Sequence, residues 1–154
     1  MKKKIEHIRN SHNVSLLLYH VVCVAKYRKS VFTKAIDELI REIAIEIEDR
    51  YNIWFLEIWT DNNHIHFLIQ SVPKYSPKDI VQKMKSIIAK EIFKRNRDVK
   101  KWLRGWEFWT DWYYVNTVWI HWSADVIMKY VENQWNKDYS IVHKWKIRQL
   151  SLFD

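Results

Sequence analysis

Glycine is nearly missing from this chain: Gly105 is the only one in 154 residues, where average usage of about 7% would give roughly 11. No glycine-rich phosphate-binding loop can be built from it, so chemistry that depends on such a loop to cradle a nucleotide is excluded. Cysteine is as scarce. The lone Cys23 has no internal partner for a disulfide, which suits a reducing compartment. Long apolar runs are lacking too. The longest, residues 16–25, is interrupted by His20 and falls far short of the roughly 20 residues of a membrane span. Met1-Lys2-Lys3-Lys4 leads into a polar stretch rather than a signal core. A cytoplasmic protein with no membrane partner is expected.

What the chain has instead is charge and tryptophan. Lys and Arg number 26 against 18 Asp and Glu, a formal net charge of +8, which favours a polyanionic partner such as nucleic acid. The ten tryptophans and the single glycine together come close to the glycine count of an average chain of this length. Trp106, Trp112, Trp119, Trp122 and Trp135 stand at turn-like or helix-ending places, where a positive φ is often needed and glycine has no Cβ to clash. A codon assigned to glycine but read as tryptophan would leave this pattern, and it predicts positive φ at such positions. Trp109, inside an aromatic run, reads as a native indole. The other explanation is a surface on which nucleic-acid bases stack.

The length suits one domain, residues 1–154. Residues 14–25, rich in Val and Leu, read as a first strand, closed by Lys26-Tyr27-Arg28-Lys29. Ile36, Leu39, Ile40, Ile43, Ala44 and Ile47 recur at three and four, which predicts an amphipathic helix capped by Thr33 and running to about Arg50. Residues 53–59 make a second strand. The polar link Thr60-Asp61-Asn62-Asn63 is short enough to turn it into a third, beginning at His64. Ser76-Pro77-Lys78-Asp79 starts a helix with a Ser cap, Pro at the first helical position and an early acid. Residues 113–118 make a fourth strand. Ser123 caps a last helix holding Tyr130 and Gln134, and residues 136–154 form a basic tail. The order is β-α-β-β-α-β, an α+β fold with a ferredoxin-like antiparallel sheet and an added C-terminal helix.

Two groups of residues carry chemistry. In His64-Ile65-His66 strand alternation puts both imidazoles on one face, close enough for one metal ion, while Ile65, Phe67 and Ile69 point into a core. Two solvent-facing histidines would show the same spacing. Tyr130 and Gln134 are four apart on one helix face. A tyrosine hydroxyl is a covalent nucleophile in some enzymes and a glutamine carbonyl a metal ligand, although a tyrosine on an amphipathic helix also serves simply as a packed ring. Charge is concentrated in residues 78–104, with ten basic and three acidic residues, which points to a phosphate-contacting surface rather than only a solvated face. Lys83, Lys85 and Lys90 are its helical candidates, and Lys26, Arg28 and Lys29 those of the earlier run.

Taken in order, Tyr19-His20, Lys26-Tyr27-Arg28-Lys29, Thr60-Asp61-Asn62-Asn63-His64-Ile65-His66, Ser76-Pro77, Phe108-Trp109 and Tyr130-Val131-Glu132-Asn133-Gln134 resemble the single-tyrosine HUH transposases of the TnpA type, which move insertion sequences as single-stranded DNA. The resemblance spans residues 11–135. It implies that His64, His66 and Gln134 bind a divalent metal, Mg²⁺ or Mn²⁺, that Asp61 supports those ligands, and that Tyr130 is the nucleophile. It also implies a homodimer acting on single-stranded DNA with hairpin ends. Asn63 stands where the family commonly has an acidic residue, which implies weaker support for the first histidine.

The expected function is cleavage and rejoining of single-stranded DNA through a covalent 5′-phosphotyrosine. The alternatives are a domesticated relative that cuts palindromes, a non-catalytic single-stranded nucleic-acid binder, and a metallo-hydrolase of small phosphoesters.

Overall fold

A computed structural model describes residues 5–118. The chain divides into two units, 1–118 and 119–154, and the elements that follow belong to the first. It begins with a two-rung hairpin of β1 (Ile8–Arg9) and β2 (Val14–Ser15). There follow β3 (Leu17–Ala25), a 3₁₀ turn (Lys26–Arg28), α1 (Lys34–Arg50), β4 (Ile53–Thr60), β5 (His64–Ser71), α2 (Pro77–Arg95), α3 (Asp98–Trp102) and β6 (Trp109–Thr117). The four long strands form one antiparallel sheet in the order β4-β5-β3-β6. With the hairpin set aside, this is the ferredoxin-like order the sequence predicts. The expected C-terminal helix lies outside the described residues.

Each helix is fixed by a local signal. Thr33 accepts from the Ile36 amide at the start of α1. At the start of α2, Ser76 and Asp79 exchange bonds in a full capping box, with Pro77 at the first helical position. The apolar faces of both helices, Ile36, Ile40, Ile43 and Ile47 on one and Ile80, Met84, Ile88 and Ile92 on the other, close over one face of the sheet. That face presents Val21, Cys23, Ile65, Phe67 and Ile69. By alternation, His20, His64 and His66 stand on the opposite face.

Phe67 is fully buried and meets Phe55 edge to face, ring centroids 5.6 Å apart. Phe67→Ala is expected to cost about 3–5 kcal/mol, whereas Ile45→Ala, at an exposed position of α1, should stay within about 0.5 kcal/mol of the parent. Urea unfolding of the two variants checks this. Equal midpoints would mean that the core lies elsewhere.

The structure corrects several expectations. The first strand is broken at Leu16, because Val14 and Ser15 pair with the N-terminal hairpin while β3 pairs inside the main sheet. The last strand of the sheet starts at Trp109 rather than Tyr113. Trp109 is buried, and its indole N–H donates to the Lys85 carbonyl at 3.0 Å, in keeping with a native indole. Positive φ occurs at Gly105, Tyr27 and Arg28 and at no other described residue, so Trp59, Trp106 and Trp112 do not occupy the left-handed backbone that a glycine substitute would be expected to inherit. Trp102, Trp106 and Trp112 are exposed.

Candidate active site

The turn into β5 is tied at both ends. Asp61 N–H donates to the His64 carbonyl at 2.8 Å, and Ala25 N–H donates to the Asn63 carbonyl at 2.9 Å, which anchors the turn to the end of β3. His64 and His66 therefore leave a fixed backbone side by side, ring centroids 5.0 Å apart and planes at 63°. The spacing read from the sequence is realised.

The surroundings of each ring decide which nitrogen it can offer. His64 Nδ1 lies 2.9 Å from Asn63 Oδ1. An amide oxygen only accepts, so Nδ1 carries the proton and Nε2 keeps its lone pair. His66 Nδ1 lies 3.0 Å from Nε2 of His20, so Nε2 is the nitrogen His66 would offer a metal. Burial holds the His66 imidazolium far below its ordinary 6.5, at about 3, with the neighbouring His20 and His64 charges adding to it. Burial likewise takes His20 to about 4, and lowers His64 against an opposing pull from Asp61. All three are neutral at pH 7, the form in which imidazole binds metal.

This donor set fits a divalent ion. Two neutral imidazoles suit a transition ion such as Mn²⁺ better than Mg²⁺, which favours oxygen throughout. Among the described residues no group of three or more His, Cys, Asp or Glu is arranged to hold a metal, so the pair needs a further ligand. Gln134, named for that place from the sequence, lies outside the described residues, as does Tyr130. Asp61 acts on His64 through its charge, while Asn63 makes the direct contact to the ring. Asp61 turns one carboxylate oxygen to the Asn62 amide at 2.7 Å, and its other oxygen stands 3.9 Å from His64 Nε2, beyond hydrogen-bond reach. Asn63, read as a weakening departure, is the residue that orients the ring.

The sequence model described as "Transposase IS200 like" matches residues 13–134. The chain belongs to the IS200-like transposase family. Among similar proteins, the ISDra2 transposase TnpA of Deinococcus radiodurans is 26% identical over 122 residues, covering 79% of this chain and 86% of its own. The transposase for insertion sequence element IS200 of Salmonella typhimurium is 28% identical over 124 residues, covering 78% of each chain. A crystal structure of a Deinococcus radiodurans R1 protein assigned as a transposase superposes with a TM-score of 0.66 at 25% identity, covering 82% of this chain and 97% of that one. Membership makes this a DNA-cleaving and strand-transferring enzyme of the TnpA type.

The transposase's basic residues are not all gathered at the histidines. α2 packs on the sheet face opposite the imidazoles, and two of its lysines already have structural partners. The Lys83 ammonium sits over the Tyr51 ring, 4.5 Å from its centroid, and Lys85 donates to the Thr110 carbonyl at 2.7 Å. Lys90 is exposed. Lys26 pairs with Glu107 at 2.6 Å, which raises its pKa. Arg28 and Lys29 are exposed at the 3₁₀ turn. Lys29 shares a cleft with Tyr27, Ser30, Lys101, Trp102 and Arg104, so one cation of the first basic run meets two of those after α2. Lys101 and Arg104 were visible in the sequence only as part of a charge count. Cys23 is fully buried and pushed up to about 12, so it is no nucleophile at neutral pH. No described helix is long and apolar enough to cross a membrane.

The buried imidazoles make stability pH-dependent. In the unfolded chain they titrate near 6.5, in the fold near 4 and 3. Between those values the unfolded state binds more protons, so stability is full above about pH 6.5 and falls as pH drops toward 4, by on the order of 1.4 kcal/mol per pH unit for each histidine. Urea unfolding of the metal-free transposase should show a lower midpoint at pH 5 than at pH 7.5. A flat profile would contradict the burial of these rings.

Proposed function

We propose that this transposase cleaves and rejoins single-stranded DNA at insertion-sequence ends through a covalent 5′-phosphotyrosine on Tyr130, with a divalent metal held by His64, His66 and Gln134. The observation that carries the reading is the pair of neutral imidazoles whose Nδ1 atoms are both engaged with protein groups, in a chain of the IS200-like family.

Bound at that pair, a divalent cation would polarise the scissile phosphate as a Lewis acid. Tyrosine's ordinary pKa is about 10, so the Tyr130 phenol must lose its proton to a base or to solvent as it attacks. Its Oη forms a bond to phosphorus while the bond from phosphorus to the 3′-oxygen breaks, and the departing oxygen takes up a proton. The phosphodiester energy is kept in the phosphotyrosine. A free 3′-hydroxyl can then attack it and rejoin the strand without ATP, consistent with a chain that has no glycine-rich phosphate loop.

Lys29, Arg104 and Lys101, the last paired with Asp98, offer cations for the DNA backbone, and Tyr27 and Trp102 in the same cleft offer surfaces for bases. Hairpin recognition and a homodimer in which one subunit's tyrosine helix completes the other's site belong to the same proposal.

The test is incubation of labelled single-stranded DNA carrying a hairpin with the protein and Mn²⁺ or Mg²⁺. A denaturant-resistant protein–DNA adduct, lost on chelation, is the expected product. A pure binder gives complexes that denaturant dissolves, and a small-phosphoester hydrolase releases product without an adduct. Either result refutes the proposal.

A further inference from the structure

The sequence motifs give His20 no role beyond marking the family, and Asn116 none. The sheet brings both to the imidazole pair. In the register of β3, His20 stands opposite Leu68 on β5 and Asn116 on β6, while Val22 stands opposite His66. His20 is thus a diagonal neighbour of His66 and a direct cross-strand neighbour of Asn116, all on one face. His20 is 2% exposed. Its ring stacks on His66 at 5.3 Å between centroids, and Tyr114 abuts it edge-on at 6.0 Å.

Two ring nitrogens 3.0 Å apart share a single proton. A neutral imidazole carries one N–H, so the bond has two forms. In one, His20 donates through Nε2, and His66 must carry its own proton on Nε2 and cannot ligate there. In the other, His66 donates through Nδ1, His66 Nε2 stays bare, and His20 must carry its proton on Nδ1. Only the second leaves His66 Nε2 able to ligate, so the proposed metal site requires it. Among the described residues three buried polar side-chain atoms have no hydrogen-bond partner, and two of them are His20 Nδ1 and Asn116 Oδ1, which belong to cross-strand neighbours. A carboxamide oxygen on the neighbouring strand is compatible with an N–H at His20 Nδ1.

We propose that His20 is a positioning residue that sets the tautomer of His66: His20 Nε2 accepts from His66 Nδ1–H at 3.0 Å, which leaves His66 Nε2 without a proton. Both imidazoles of the pair are then prepared alike, His64 by Asn63 and His66 by His20. Groups that orient a ligating histidine in this way typically change metal affinity by about 10–100-fold when removed. The inference rests on the metal reading of the site, and the spectra below test the tautomer apart from it.

Two measurements test it. In the metal-free, ¹⁵N-labelled full chain, long-range ¹H–¹⁵N correlation spectra should show His66 and His20 each protonated at Nδ1. A His66 protonated at Nε2 overturns the proposal. In titrations with Mn²⁺, His20→Leu should bind about 10-fold or more weakly than the parent, while His20→Gln, whose carboxamide oxygen replaces the lost acceptor, should restore most of the affinity. Unchanged affinity in His20→Leu overturns the proposal, and so does a His20→Gln variant as weak as the leucine. Should the leucine variant fail to fold, the spectra of the parent and the glutamine titration still decide. If the parent itself binds no Mn²⁺, the metal reading of the site falls, and the spectra judge the tautomer separately.

Discussion

Tyr130→Phe is expected to leave binding of hairpin DNA intact and to eliminate the covalent adduct, with strand cleavage falling by about 10⁴-fold or more. The substitution removes one oxygen and keeps the ring, so whatever the ring packs against is preserved while the attacking atom is gone. Without Oη no bond to phosphorus can form, and the remaining groups can at most polarise a phosphate that nothing attacks. Tyr130 lies outside the described residues, so this prediction stands on the motif Tyr130-Val131-Glu132-Asn133-Gln134 and on family membership. Cleavage gels with end-labelled DNA and a filter-binding assay separate the two effects. A phenylalanine variant that still forms the adduct would move the nucleophile to another residue.

His66→Ala should be nearly as damaging and should differ in kind. It deletes one of the two imidazoles and leaves the buried Nε2 of His20 without the group it now meets at 3.0 Å. Cleavage is expected to drop by about 100-fold or more, because an ion held by one fewer ligand is both bound weakly and badly placed. Stability should fall as well, by about 1–3 kcal/mol, the usual cost of stranding a buried polar group. His64→Ala removes the partner of Asn63 on the turn rather than of a buried ring, so it should lose activity with a smaller stability cost. Comparing cleavage rates with urea midpoints for the two variants checks this division. Equal stability losses would mean that the His20–His66 contact contributes little to the fold.

Much of this arrangement can be read from the chain, and the parts that cannot share a cause. Helix α1 is legible because Thr33 caps it and its isoleucines keep helical spacing. The His64/His66 pair is legible because strand alternation alone puts both rings on one face. Contacts between strands are a different matter. That His20 reaches His66, and that Asn116 stands beside His20, depends on the register of β3 against β5 and β6, which no local pattern encodes. The two-rung β1–β2 hairpin and the five-residue α3 are too short to show a period. The early start of β6 was hidden because Thr110-Asp111 reads as a turn, while Trp109 is held by a bond to α2. Charge on α2 was legible as a total, but which lysines were already engaged was not, since Lys83 meets rings from before and after β4 and β5 and Lys85 meets the backbone of β6.

The central claim is that His64 and His66 present unprotonated Nε2 atoms to one divalent ion. A crystal structure of the full chain grown with Mn²⁺, with anomalous data collected at the manganese edge, tests it most directly. The account predicts a single anomalous peak about 2.2 Å from both Nε2 atoms, with Nδ1 of His64 still on Asn63 and Nδ1 of His66 still on His20. A saturating Mn²⁺ concentration that gives no peak at the pair, or a peak on the Nδ1 side of either ring, would contradict it.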